Sequence, residues 1–297
     1  MQQVSINTKD LKKRMYAEQR SLWIKRFFYN KMLVFGSLLL ILLGFLVLIL
    51  PFFIKSDPLV MDTVNRFKAP SSEHWFGTDS YGRDVFSRVI YGGRVSIIIG
   101  LAVTLISGFF GLVIGVCSAY YRSLDHILMR FCDGLMAFPA ILLAIAIMAT
   151  MGPNSFNVVI ALSIVFTPYV ARVVRSSAIV IKEQTYIEAL KSQGASAWRI
   201  LALHIAPNTI SPLIIQCTFI FADTILTEAA LSFLGAGIPA PEPSWGNILY
   251  DGKLAIFNAW WMTAFPGVAL LLTVLGLNLF GDGLRDLLDP HTNKAKK

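Results

Sequence analysis

A chain of 297 residues that is 55% hydrophobic and only 15% charged falls well below the quarter of charged residues usual in soluble domains. With a mean hydropathy of +0.62, its composition points to lipid as the solvent. The net charge of +8 does not describe a nucleic-acid-binding face. Basic residues crowd the N-terminus and short connecting segments and are sparse within the long apolar runs.

In chain order, residues 1–31 form a basic segment. The hydrocarbon core is about 30 Å thick, so roughly 20 apolar residues make one helical crossing, and residues 32–54 satisfy that. This run is too long for a signal-peptide core and lacks a small-x-small cleavage site, so it reads as a permanent anchor. Residues 55–94 form a charged connecting segment. Within it Val85, Phe86, Val89 and Ile90 gather on one side of a helix, which predicts an interfacial helix ended by Gly92-Gly93.

Further apolar runs cover 95–120, 134–151, 156–171, 209–234 and 262–280, giving six predicted spans. The second carries Gly100, Gly108, Gly111 and Gly115, spacings that let another helix approach closely. Asp133 stands at the base of the third span, and Pro139 shortly after it predicts a kink. The turn sequence GPNS separates the third span from the fourth. Cys117, Cys132 and Cys217 show no metal-ligand spacing and read as small hydrophobes, with no disulfide and no zinc.

The predicted fold is therefore an all-α integral membrane protein with six transmembrane helices. With the N-terminus in the cytoplasm, the segments near 120–133, after residue 171 and after residue 280 lie on the same side. Together with the N-terminal segment they hold most of the 26 Lys and Arg residues, as the positive-inside rule requires.

The stretch YIEALKSQGASAWRILALHIAP (186–207) interrupts the apolar pattern between spans four and five. Gly194 falls where a helix would end in a left-handed turn. Ser196 is placed to cap a second short helix through Trp198, Ile200, Leu201 and Ile205, which Pro207 then stops. An exposed tryptophan among charges suits insertion into a groove on another protein. The fifth span holds Asp223 and Glu228, where a charge costs at least about 2.5 kcal/mol at the bilayer centre. Five residues apart, they sit about 140° apart around the helix and cannot face one point.

The chain shows no HExxH, GxSxG or dinucleotide fingerprint. GNILYDGKL (246–254) departs from a phosphate loop, because five residues rather than four separate Gly246 from Gly252 and a leucine follows Lys253. No catalytic residue, metal site or bound cofactor is expected.

Glu188-Ala189-Leu190, Gly194 and His204-Ile205-Ala206-Pro207 resemble the EAA loop of bacterial ABC-transporter permeases. A third alanine is usual at Leu190, and a leucine often stands at Ala206. GTDSYGRDVFSRVIYGGRVS (77–96), LSFLGAGIPAPEPSWGNIL (231–249) and NLFGDGLRDLLDP (278–290) are similar to the second permease of dipeptide, oligopeptide and nickel importers. The resemblance implies a multi-pass subunit of a bacterial inner membrane, with a permease core over 95–283, a cytoplasmic tail over 284–297 and half of a translocation path. It implies a second permease, an extracytoplasmic solute-binding protein and two cytoplasmic ATPases carrying ATP and Mg. Glu188, Ala189, Gly194, Ala195, Trp198, Arg199 and Pro207 would couple to those ATPases. Asp223 would line the path and Glu228 would hold a gate or an interhelical contact, or both would bond to neighbouring helices and never meet solute. Asp79, Arg83 and Asp84 would either face the solute receptor or shape the interfacial segment. Peptides are the expected cargo, nickel or a metal chelate the alternative. A channel or secondary transporter, the reading from a different class, would work without ATP.

Overall fold

The computed structural model describes residues 24–53 and 57–288, together with Met15, Glu18, Ser21 and Leu22. Much of the expected N-terminal segment and most of the tail therefore lie outside the described residues. Among the described residues the regular elements are all helices, residues 57–84 and 234–244 are mostly turns and irregular structure, and the one β-type contact is an isolated bridge between Thr78 and Asp84.

Five stretches are long and apolar enough to cross a membrane: Lys31–Phe52, Val85–Tyr120, Ser155–Lys182, Ala197–Phe233 and Trp261–Leu288. The first contains α1 (Lys31–Leu48), which Asn30 caps by accepting the N–H groups of Met32 and Leu33. α1 exposes Phe35, Leu38, Ile41, Leu42 and Phe45, as a helix bathed in lipid does. It packs at the periphery, where Gly36 lets it approach the backbone of α10 (Trp261–Leu288) around Phe280.

α2 (Val85–Tyr120) runs unbroken for 36 residues. The predicted interfacial helix is its first two and a half turns rather than a separate element, and Gly92-Gly93 do not end it. The reason is tertiary: a Cβ on Gly93 would lie 2.6 Å from the Trp245 ring. These glycines serve close packing, and they accept helical geometry at a cost of about 1 kcal/mol each relative to Ala.

The expected third span also takes another form. α3 (Arg122–Met136) and α4 (Ala140–Met151) meet at a 93° bend, and the twelve residues of α4 reach only about 18 Å. Pro139 disfavours helical geometry at the residue before it, so the helix stops at Met136 and restarts beyond the proline. Counted as one broken span, the pair brings the total to six.

α5 (Ser155–Lys182) packs along α2. A Cβ on Gly111 would lie 2.5 Å from the Val170 side chain, and one on Gly115 would lie 2.7 Å from the Ala171 oxygen. This is the close approach that small residues permit between helices in a membrane. Val103, Val116, Leu162, Val170 and Val174 fill the seam with their neighbours. On another side α2 meets α8 (Ile210–Phe233), with Gly100 against Phe221 and Ile225.

These contacts fix the two ends of the bundle. Lys182 at the end of α5 touches the end of α2, and Asn30 before α1 donates to the Gly283 carbonyl near the end of α10. The connection between α5 and α8 lies at this end, called here the loop end. The start of α2 and α9 (Trp245–Leu254) lie at the far end, where the Trp245 indole donates to the Val89 carbonyl.

Candidate functional site

After α5 the chain forms α6 (Thr185–Ser192), a glycine corner and α7 (Ala197–Ile200). Gly194 has φ +80, a conformation that costs an L side chain roughly 1–2 kcal/mol. The corner is a Schellman turn, with the Ala195 N–H reaching the Leu190 carbonyl and the Gly194 N–H reaching that of Lys191. The Ser196 hydroxyl then accepts the Arg199 N–H and caps α7.

Pro207 does not stop the chain. α7 continues through a π-helical turn (Leu201–Ile205) and a 3-10 turn (Ala206–Thr209) straight into α8. Proline has no N–H to give and crowds the carbonyl four residues back, and widening the preceding turn relieves both. The Asn208 side chain donates to the His204 carbonyl at 2.6 Å.

The segment has two faces. Ile187, Ile200 and Ile205 are fully buried in the main apolar cluster. Glu188, Ala189, Gly194 and Arg199 are exposed, Ala195 is half-buried, and Trp198 is 76% exposed. A hydrophobic core anchors one side, and the other presents an indole with charges of both signs. Asp223 and Glu228, on α8, point to different sides as their spacing requires. Asp223 is exposed. Glu228 is 0% exposed, and its carboxylate accepts the hydroxyls of Ser96 on α2 and Ser232 on α8, each at 2.8 Å. It ties helices together.

At the far end, Asp79 and Arg83 are both buried. The Arg83 guanidinium donates to Asp79 at 2.6 Å and to Asp251 of α9 at 3.2 Å. Arg88, 2% exposed, stands 3.6 Å from Asp79 and 3.8 Å from Asp251. Burial pushes the Asp251 carboxyl above its ordinary value, and Arg88 and Arg83 pull it back. Asp84 caps α2 by accepting the Ser87 N–H and also contacts His74. These residues hold the start of α2 in place.

Several partners carry no signal in the sequence. Asp251 lies 168 positions from Arg83, within the stretch that fails as a phosphate loop. Ser96 and Ser232 look like ordinary span residues. Lys182, which reaches α2, is one basic residue among many. Arg172 pairs with Asp133 at 2.6 Å, and Arg175 pairs with Asp125, so two ion pairs brace α3 against α5. No group of His, Cys, Asp and Glu among the described residues could hold a metal ion.

Comparison with solved structures gives the class first. A chain of the MetNI methionine ABC transporter in an inward-facing conformation aligns with a TM-score of 0.52 at 21% identity, over 65% of this chain and 95% of that one. At that identity the likeness is one of fold, and the fold is that of an ABC-transporter permease.

The binding-protein-dependent transport system inner membrane component family matches residues 108–294, and the chain belongs to that family. A putative peptide transport system permease protein of Brucella suis is 47% identical over 86% of this chain and 86% of its own length. The dipeptide transport system permease protein DppC of Alkalihalophilus pseudofirmus is 43% identical over 88% of this chain and 86% of its own. A glutathione transport system permease protein of Pectobacterium atrosepticum is 45% identical over 75% of this chain and 74% of its own.

Proposed function

We propose that this chain is one of two permease subunits of an ATP-driven peptide importer, worked from the loop end by cytoplasmic ATPases. One observation carries the reading. A bundle of long apolar spans projects a helix–corner–helix whose inner face is locked in the core and whose outer face offers Trp198, Glu188 and Arg199. ATP and Mg belong to the partner subunits, and this chain supplies the path and the lever.

Orientation follows from charge. The loop, the start of α1 and the end of α10 share one end, and the sequence concentrates Lys and Arg there, which supports a cytoplasmic loop end with the N-terminus inside. An extracytoplasmic solute-binding protein then meets the far end, framed by the segment of Asp79, Arg83 and Asp84. Asp223 supports the position of the path. A carboxylate on the exposed side of a span would cost at least about 2.5 kcal/mol against lipid at the bilayer centre, so that side faces water or the second permease. Peptide cargo is supported by the names of the peptide and dipeptide permeases at 43–47% identity.

Reconstitution tests the reading. The chain assembled with its second permease, its ATPase subunits and its solute receptor should take labelled di- and tripeptides into proteoliposomes only when ATP is present. Uptake that proceeds without ATP would replace the importer with a channel or secondary transporter.

A further inference from the structure

Lys182 is the last residue of α5, three residues before α6 begins. Its ammonium group donates to the carbonyl oxygens of Ala119 at 2.8 Å and Tyr120 at 3.1 Å. These belong to the last turn of α2, whose carbonyls have no N–H further along the helix to accept. A cation there also meets the negative end of the helix dipole. The Tyr120 ring has Lys182 Nζ at 5.8 Å and Lys191 Nζ at 5.7 Å from its centroid, both within cation–π range. Lys191 sits in the last turn of α6. The end of α2 is thus gripped from the end of α5 and from the projecting loop itself.

Apolar packing surrounds this grip. Ile187 of α6 is fully buried in the cluster that holds Val116, Ala119, Val174 and Ala178. Such packing is non-directional, whereas two charge-assisted hydrogen bonds fix both distance and direction. From that point α2 runs without a break for 36 residues, about 54 Å, to the far end. On the way Ser96 holds Glu228, and at the far end Arg88 joins Asp79 and Asp251. A displacement of the loop that carries Lys182 with it therefore acts on the tip of α2, whose other end is tied into that cluster.

We propose that Lys182 is the positioning residue that transmits movement of the α6–α7 loop to α2, and so sets how much transport each ATP yields. This rests on reading the loop as the ATPase contact. The assay uses the complete transporter in proteoliposomes, with a labelled mixture of di- and tripeptides as cargo and uptake measured per ATP hydrolysed. Lys182→Met is expected to keep the ATPase subunits attached and hydrolysing while uptake per ATP falls about tenfold, within the usual range of coupling effects. Lys182→Arg, which keeps charge and donors, is expected to restore most of the ratio.

An unchanged ratio in Lys182→Met would overturn the proposal. So would loss of the ATPase subunits from that variant, or an arginine variant no better than the methionine one. If Lys182→Met fails to accumulate, Lys182→Gln takes its place with the same readout. If that also fails while the arginine variant assembles, the contact is a folding determinant and the proposal falls. Failure of the underlying reading looks different: the ATPase subunits would then stay attached when Glu188 and Trp198 are changed, whatever Lys182 does.

Discussion

The two ends of the bundle use charge in opposite ways. At the far end Asp79, Arg83 and Arg88 are almost wholly buried, at 2%, 3% and 2% exposure, and they answer one another and Asp251 across elements distant in sequence. At the loop end Glu188, Lys191 and Arg199 stand at the surface beside an exposed indole. Buried ion pairs lose several kcal/mol when one partner is removed, whereas exposed charges contribute about 0–1 kcal/mol to stability. The far end is therefore a frame, and the loop end is a surface kept available for another protein. α2 joins them, with one end in the frame and the other under Lys182.

The largest expected effect tests the frame. Asp79→Ala leaves two buried guanidinium groups short of an acceptor and removes the acceptor for the Tyr81 and Arg83 N–H groups. A stability loss of about 3–5 kcal/mol is expected, read as a lower unfolding midpoint of the purified complex. A change below about 0.5 kcal/mol, the scale of an unremarkable surface substitution, would mean that the buried cluster is not what holds the far end.

A smaller effect belongs to the glycine corner. A Cβ added at Gly194 would meet nothing within 4 Å, so the cost of Gly194→Ala is one of backbone conformation alone, about 1–2 kcal/mol. Asn tolerates the left-handed region better, so Gly194→Asn should cost less. Amide exchange over 185–200 reads this locally, with alanine speeding exchange more than asparagine. Equal exchange in all three proteins would show that the corner does not fix the loop.

The loop was legible in the sequence because its signals are local: Gly194 supplies the turn and Ser196 the cap, and both act within a few residues. The apolar spans were legible for the same reason, since length and composition decide a crossing. The features that escaped are those decided from afar. Gly92-Gly93 look like helix terminators until the Ser244 backbone closes over the first and the Trp245 ring over the second, contacts from far along the chain. The run 134–151 looks like one span, yet its first residues complete α3 and Pro139 turns the rest through 93°. Asp79 and Arg83 are visibly charged in the sequence, but their burial depends on Asp251 and the Trp261 indole that donates to the Thr78 carbonyl. Periodicity carries no information about such contacts.

The smallest effect on stability carries the sharpest test of the contrast between the two ends. Trp198 is 76% exposed and lies outside the apolar cluster that holds Ile187 and Ile200. Trp198→Ala should therefore leave the unfolding midpoint nearly unchanged, within about 0.5 kcal/mol. An exposed indole at a protein contact often contributes 2 kcal/mol or more to binding, which at 1.4 kcal/mol per tenfold is an affinity about 30-fold weaker. Retention of the ATPase subunits, measured by titrating them onto the immobilised permease, should fall by that order in Trp198→Ala and stay close to wild type in Asp79→Ala protein that remains folded. If Trp198→Ala instead unfolds the chain, the indole belongs to the frame. If it neither unfolds the chain nor weakens the contact, the outer face of α7 is not the surface that the ATPases grip, and the division between a buried frame and an available lever loses its second half.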